Sequence, residues 1–246
     1  SGGGSSLLTL PGPGLTLADK QAVTRALLRS GAPIAAVNTV RRHLSAIKGG
    51  RLAAAAWPAR VTTLAISDVP GDAPSVIASG PTVPDPTTRD DARLVLTQYG
   101  VPVPPAVAAL LGDPGSEGPG LDDPRLADAD FHIVASSRTA LDASVSIART
   151  AGLAVLDLGD AVEGEAREVA ARHADLVRAI ASGCGPVAPP CIVLSGGETT
   201  VTVRGGGRGG RNREYLLALA IALDGLPGVR ALAADTDGID GDGPEA

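Results

Sequence analysis

Three features of this sequence predict an α/β fold, with a Rossmann-like, largely parallel sheet covered by helices on both faces and part of a second α/β domain after it. Short apolar runs rich in β-branched residues alternate with segments of helical periodicity. Several of these runs end in Gly- and Asp-rich loops. The composition turns to Gly, Pro and Ala around Gly183 to Pro190, which sets a domain boundary between 1–185 and 190–246.

Taken in order, Thr16 and Asp19 have the spacing of a capping box. Val23, Ala26 and Leu27 then line one side of a helix that Gly31 stops. Ile34, Val37, Val40, Leu44 and Ile47 recur at intervals of three and four, which predicts a second amphipathic helix. Asn38, Arg41 or Arg42, Ser45 and Lys48 fall on its adjoining polar stripe, with Lys48 at the helix end. Val61 to Ser67 reads as a buried strand that breaks at Asp68-Val69-Pro70-Gly71-Asp72. A helix at 89–99, a strand at 131–135, a helix at 139–150, a strand at 153–158 and a helix at 165–182 continue the alternation. Beyond the boundary come strands at 191–194 and 199–204, a glycine-rich loop, a helix at 212–223 and a strand at 229–234.

Composition narrows the function. The 246 residues are 44% apolar, enough for one good core or two modest ones. A net charge of −6 and 2% aromatic content argue against a nucleic-acid partner. No run approaches the roughly 20 apolar residues of a membrane helix, and the first residues are Ser, Gly and Leu rather than basic and apolar, so no membrane partner is expected. Cys184 and Cys191 fit neither a zinc pattern nor a disulfide framework and read as reduced thiols of a cytoplasmic protein. His43, His132 and His173 are isolated and there is no G-x-S-x-G elbow, which sets aside zinc and acyl-enzyme chemistry. The chain has no Met, opens inside a Ser-Gly motif and stops in an acidic Gly-rich stretch, so both ends are expected to be internal to a longer protein.

The chemistry-bearing residues sit in the loops. Ser1, Gly2, Gly3, Gly4 and Ser5 are small residues whose amides could converge on an anion, although such a run is commonly only a flexible turn. The sequence has only two lysines, Lys20 and Lys48. One kept in the turn Lys48-Gly49-Gly50-Arg51 suits a compact phosphate-binding charge, and also suits a simple helix-end cation. Asp68 and Asp72 bracket a turn at a strand end, where open α/β sheets place ligands. They could hold hydrated magnesium or accept a hydroxyl proton. Asp235, Asp237 and Asp240 repeat that arrangement and favour magnesium over calcium. Gly196, Gly197, Glu198 and Thr199 follow an apolar strand. Gly209, Gly210, Arg211 and Asn212 end a loop that also satisfies G-x-G-x-x-G at Gly205, Gly207 and Gly210, which keeps a nicotinamide-dependent reductase open.

In order and wording, the strings SGGGS, NTVRRHLSAIKGGRLA, SDVPGD, IASGPTVPD, SGGETTV, GGRNRE and TDGIDG resemble the glycerate 2-kinase family with its MOFRL-type C-terminal module; similar sequences are also called hydroxypyruvate reductases. The resemblance spans nearly the whole chain. It implies a two-domain α/β enzyme that transfers the γ-phosphoryl group of ATP to the 2-hydroxyl of D-glycerate with Mg2+, and a homodimer is compatible with it. Family members carry further chain before SGGGS and after TDGIDG, so an inactive fragment is the remaining alternative. On this reading Ser1 to Ser5, Gly196 to Thr199 and Gly209 to Asn212 surround phosphate or carboxylate. Arg41 and Lys48 supply positive charge, and Asp68, Asp72 or Asp237 hold magnesium, one of them orienting the glycerate hydroxyl.

Overall fold

Two capping boxes start the helices that hold the first half of the chain. In each, the threonine hydroxyl accepts from the third helical amide while the aspartate at that position accepts from the threonine amide; the pairs are Thr16–Asp19 and Thr88–Asp91. They open α2 (Leu17–Arg29) and α5 (Arg89–Gln98), which follow the short α1 (Gly4–Leu7) and flank α3 (Ile34–His43) and α4 (Arg51–Ala56). With α6 (Pro105–Gly112), three of these helices enclose one core: Val23 and Leu27 from α2, Val37 and Val40 from α3, Ala92 and Leu96 from α5, and Val107, Leu110 and Leu111 from α6. The computed structural model describes residues 4–69, 71–235 and 238–241. Its chain forms two compact units, Ser1–Ala135 and Ser136–Ala246.

The second amphipathic helix is shorter than its apolar spacing predicts. It ends at His43 because the Ser45 hydroxyl accepts from the amides of Ile47 and Lys48, a local alternative to helical bonding. Ser45 also pairs with Pro11 in an isolated antiparallel bridge. Lys48 therefore lies in the turn beyond α3, and its reading as a helix-end cation does not hold.

β1 (Val61–Ser67) pairs with β2 (Ala129–Ser136). β1 is not buried on both faces as expected: burial alternates along it, leaving Leu64 68% and Ile66 53% exposed. In the second unit α7 (Ser137–Thr150) leads to β3 (Ala154–Asp157), which pairs in parallel with β5 (Cys191–Leu194); β4 (Val162–Glu165) pairs in parallel with β6 (Gly197–Thr200). α8 (Ala166–Ala181) and α9 (Arg211–Leu223) pack through Ala170, Ala174 and Leu219, and His173 Nδ1 lies 2.8 Å from the Tyr215 hydroxyl.

The α/β class and the parallel pairing are as read from the sequence. Among the described residues, however, the strands form three two-stranded sheets rather than one continuous sheet. The Gly183–Pro190 break lies inside the second unit, between α8 and β5. Residues 229–234 form no strand: among the described residues their backbone finds no ladder partner, and Leu232 is exposed. β4, α4 and α6 carried no periodic signal long enough to be read in advance.

Candidate functional site

In the first unit Lys48 and Arg41, from separate segments, meet at Ser5, and Lys20 lies within electrostatic reach of both. Lys48 is buried to 1% exposure, and its ammonium donates to the Ser5 carbonyl and, at 3.0 Å, to the Ser5 hydroxyl. Arg41 of α3 donates to the same carbonyl at 3.4 Å and to Asn38 Oδ1 at 3.4 Å. Lys20 of α2 is 8% exposed, and among the described residues its ammonium has no hydrogen-bond partner. Burial, and then the charge of Arg41, push Lys20 down to about 8. Lys48 is pushed down to about 8 by burial, Arg41 and Lys20, in that order. Burial also lowers Arg41. Among the described residues no carboxylate contributes to any of these three shifts.

Backbone contacts between distant motifs fix this cluster. The Ser5 and Ser79 hydroxyls are 2.6 Å apart, and Gly49 and Gly50 donate their amides to the carbonyls of Ser79 at 3.1 Å and Gly80 at 2.8 Å. Ala78 and Ser79 hold positive φ of 51° and 63°, conformations that cost L-residues energy and that the surrounding bonds must enforce. Gly49 has φ of 57°, and a Cβ there would stand 2.7 Å from Asp85 Oδ2. That carboxylate takes two 3.0 Å bonds from Arg42 Nε, and the Arg42 guanidinium reaches the Thr87 hydroxyl at 3.2 Å. Of the two adjacent arginines, then, Arg42 is committed to a buried ion pair and Arg41 faces the cations. Arg51 closes the turn by donating to the carbonyls of Arg42, Lys48 and Ser116. A cavity of about 270 Å³ is lined by His43, Ser45, Arg51, Glu117 and Arg125 among others, and by none of the three clustered cations, so it is a separate feature.

Asp68 and Asp72 lie just beyond β1. Asp68 is exposed and Asp72 half-buried, with Asp72 at φ of 53° and its amide on the Val69 carbonyl at 3.0 Å. Two carboxylates at one loop suit a hydrated magnesium ion, which keeps most of its waters and needs only one or two protein carboxylates. Among the described residues no three His, Cys, Asp or Glu side chains gather as a metal site. Ser1, Gly2, Gly3 and Asp237 lie outside the described residues. Gly4 and Ser5 belong to the single turn of α1 rather than to an open loop.

The second unit gathers its own polar group around the start of α9. The Asp240 carboxylate is 1% exposed and accepts from the amides of Asn212 at 2.9 Å and Arg213 at 3.0 Å, occupying donors that an anion at this helix start would need. Burial raises the Asp240 pKa, but these two amide bonds, a hydrogen bond with Asp235 and the charge of Arg213 together outweigh it and hold the group below the ordinary carboxylate value. Arg211 pairs with Glu198 at 2.7 Å and Asp235 at 2.8 Å, and Asn212 Nδ2 donates to Asp235 at 2.7 Å. Close approach explains the glycines: a Cβ on Gly210 would stand 2.3 Å from Asp240 Oδ1, and one on Gly197 2.1 Å from the Val162 carbonyl. Gly196 donates to the Gly159 carbonyl at 2.8 Å, and Thr199 lies opposite Gly164 in the β4–β6 pair. The Gly205–Gly210 stretch is not a tight strand-to-helix turn, since β6 ends at Thr200 and ten irregular residues precede α9.

Residues 1–112 match a family model described as a domain of unknown function (DUF4147), and residues 191–246 match the MOFRL family. A protein of Agrobacterium vitis, provisionally named a hydroxypyruvate reductase, is 52% identical over 98% of this chain and 62% of its own length. The glycerate kinase of Macaca fascicularis is 34% identical, and the match covers 98% of this chain and 71% of that protein. The chain belongs to the glycerate kinase family. Within that family, the D-glycerate 2-kinase of Thermotoga maritima is 42% identical over 98% of this chain and 56% of its own length. A crystal structure of glycerate kinase from the same organism superposes with a TM-score of 0.86 at 40% identity, covering 98% of this chain and 56% of that one. The chain thus spans between about half and two thirds of the length of the relatives it matches first.

For this glycerate kinase family member, the structure brings Ser5, Arg41 and Lys48, three of the sequence-predicted site residues, into contact, and adds Lys20, to which sequence reading gave no role. Its signal was present: a second lysine in an arginine-based chain, on the α2 face that carries Val23 and Leu27. Asp85 was also missed, because nothing local links it to Arg42, 43 residues away.

Proposed function

We propose that the chain carries binding and catalytic groups of an ATP-dependent glycerate 2-kinase, which transfers the γ-phosphoryl group to the 2-hydroxyl of D-glycerate and gives 2-phosphoglycerate. The observation that carries this reading is the buried Lys48 ammonium on Ser5 with Arg41 beside it, held by three sequence motifs and, among the described residues, paired with no carboxylate. Phosphoryl transfer asks a protein mainly for aligned positive charge in a site with restricted water, and this cluster supplies it. The similarity to the D-glycerate 2-kinase of Thermotoga maritima supports the same reading.

In this account Arg41 and Lys48 neutralise phosphate oxygens and Ser5 orients one of them. Asp68 and Asp72 would hold magnesium, which when bound would supply positive charge against the phosphate, and one of the two would accept the proton of the attacking 2-hydroxyl. Within the second unit, Gly196 to Thr199 and Gly209 to Asn212 would bind phosphate or carboxylate, Arg211 by exchanging its carboxylate partners. A division into a kinase-type domain over 1–185 and a MOFRL-type domain over 190–246, a cytoplasmic location and a homodimer belong to the same proposal. Among the described residues no helix is long and apolar enough to cross a membrane.

The reductase alternative is weaker on geometry. A dinucleotide fingerprint needs a tight turn from strand to helix and free amides at the helix start, whereas Asp240 holds the amides of Asn212 and Arg213. Replacement of Asp68 by Asn in the enzyme with its natural chain ends tests the assignment of the acids. Turnover should fall by at least about 100-fold with substrate binding retained, and unchanged turnover would remove Asp68 from the mechanism.

A further inference from the structure

We infer that Lys20, Arg41, Lys48 and Ser5 form one pocket for a phosphate group, in which the Lys20 ammonium contacts the phosphate directly. The inference rests on the kinase reading only for which molecule carries that phosphate; the pocket is argued from the unit's own charges.

Lys20 is more than nine-tenths buried and its ammonium has no partner among the described residues, although lysine is almost never buried without one. It also stands close enough to Arg41 and Lys48 for the three charges to repel one another. A fold that only needed an apolar filler on the inner face of α2 would place Leu or Met beside Val23 and Leu27. The side chain and its ammonium are buried, within electrostatic reach of two other cations.

Charge counting selects the ligand. One carboxylate would leave most of three positive charges unbalanced. A phosphate group brings close to two negative charges and several acceptor oxygens, enough for two ammonium groups, a guanidinium and a serine hydroxyl together. The Lys48 bond to the Ser5 hydroxyl then shows where one phosphate oxygen would enter, since that hydroxyl already lies between Lys48 and Ser79.

The test is a titration of this chain with inorganic phosphate, followed by calorimetry in a buffer free of other oxyanions, for the wild type and the Lys20→Met, Lys20→Arg and Arg93→Met variants. Arg93 is a surface residue paired with Asp90 and serves as the charge control. Phosphate affinity should fall by about tenfold or more in Lys20→Met, recover in part in Lys20→Arg, and stay within about twofold in Arg93→Met. Circular dichroism establishes that each variant is folded. Displacement of phosphate by ADP, or by 2-phosphoglycerate, identifies the nucleotide or the product as the source and upholds the pocket in either case. Phosphate binding that Lys20→Met leaves unchanged overturns the inference. So does D-glycerate displacing phosphate as well as 2-phosphoglycerate does, because the pocket would then read a carboxylate. Should phosphate bind as expected while ATP consumption never depends on glycerate, the kinase reading fails and the pocket stands.

Discussion

Replacing Lys20 by Met should make the unliganded protein more stable while impairing its anion site. Lys20 titrates at about 8 instead of 10.5. That difference corresponds to about 3 kcal/mol against the charged form as an upper bound, and relaxation of the surroundings reduces it to about 1–2 kcal/mol. Methionine keeps the length and apolar stem and removes the charge, so it should recover that amount, or about 2–6 °C in Tm for a chain of this size. The sign with pH is fixed. A lysine whose folded pKa lies below its unfolded value costs stability in full below about pH 8. The cost fades as the pH rises toward 10.5, where the group is neutral in both states. The variant's advantage should therefore be present at pH 7 and nearly gone at pH 10.5. Urea unfolding of both proteins at the two pH values measures it. A variant less stable than wild type at pH 7, or an advantage unchanged by pH, would refute the idea that Lys20 is an uncompensated buried charge.

Other perturbations follow from the same geometry. Gly49→Ala should cost about 2–4 kcal/mol in denaturant unfolding, because φ of 57° disfavours a side chain and its Cβ would press on Asp85 at 2.7 Å. Asp85→Ala leaves Arg42 buried without its carboxylate and should cost about 3–5 kcal/mol, while the double variant Arg42→Met, Asp85→Leu should cost clearly less in the same assay. Asp240→Ala should free the amides of Asn212 and Arg213, speed their hydrogen exchange and destabilise α9 by about 1 kcal/mol. Because Asp240 is held below the ordinary carboxylate value, its contribution is present above about pH 4 and disappears as pH falls through its lower folded value. Wild type and variant should then converge in strong acid.

Signals carried within a few residues were legible. The Thr16–Asp19 box, the apolar stripe of α2 and the strand from Val61 to Ser67 appear where the spacing puts them. Competition between a side chain and the backbone was not legible: the apolar period runs on to Ile47, yet the Ser45 hydroxyl takes the amides that would have extended α3. The run at 229–234 has strand composition but no neighbour to pair with among the described residues, a fact about the sheet and not about the run. At the candidate site the motifs named Lys48, Arg41 and Ser5, but not which of two adjacent arginines faces them. That choice depends on Asp85, brought in from 43 residues away. Asp240 looked like one acid of a metal loop and is the cap of α9.

The most direct test of the account is ATP consumption by the protein with its gene's natural chain ends, measured with D-glycerate and magnesium, for the wild type and Lys48→Met, with the phosphorylated product examined by NMR. The account predicts glycerate-dependent turnover with phosphate on the 2-hydroxyl, reduced by at least about 100-fold in the variant. Folded wild-type protein that leaves ATP intact with glycerate, and instead oxidises a reduced nicotinamide with hydroxypyruvate, would contradict it.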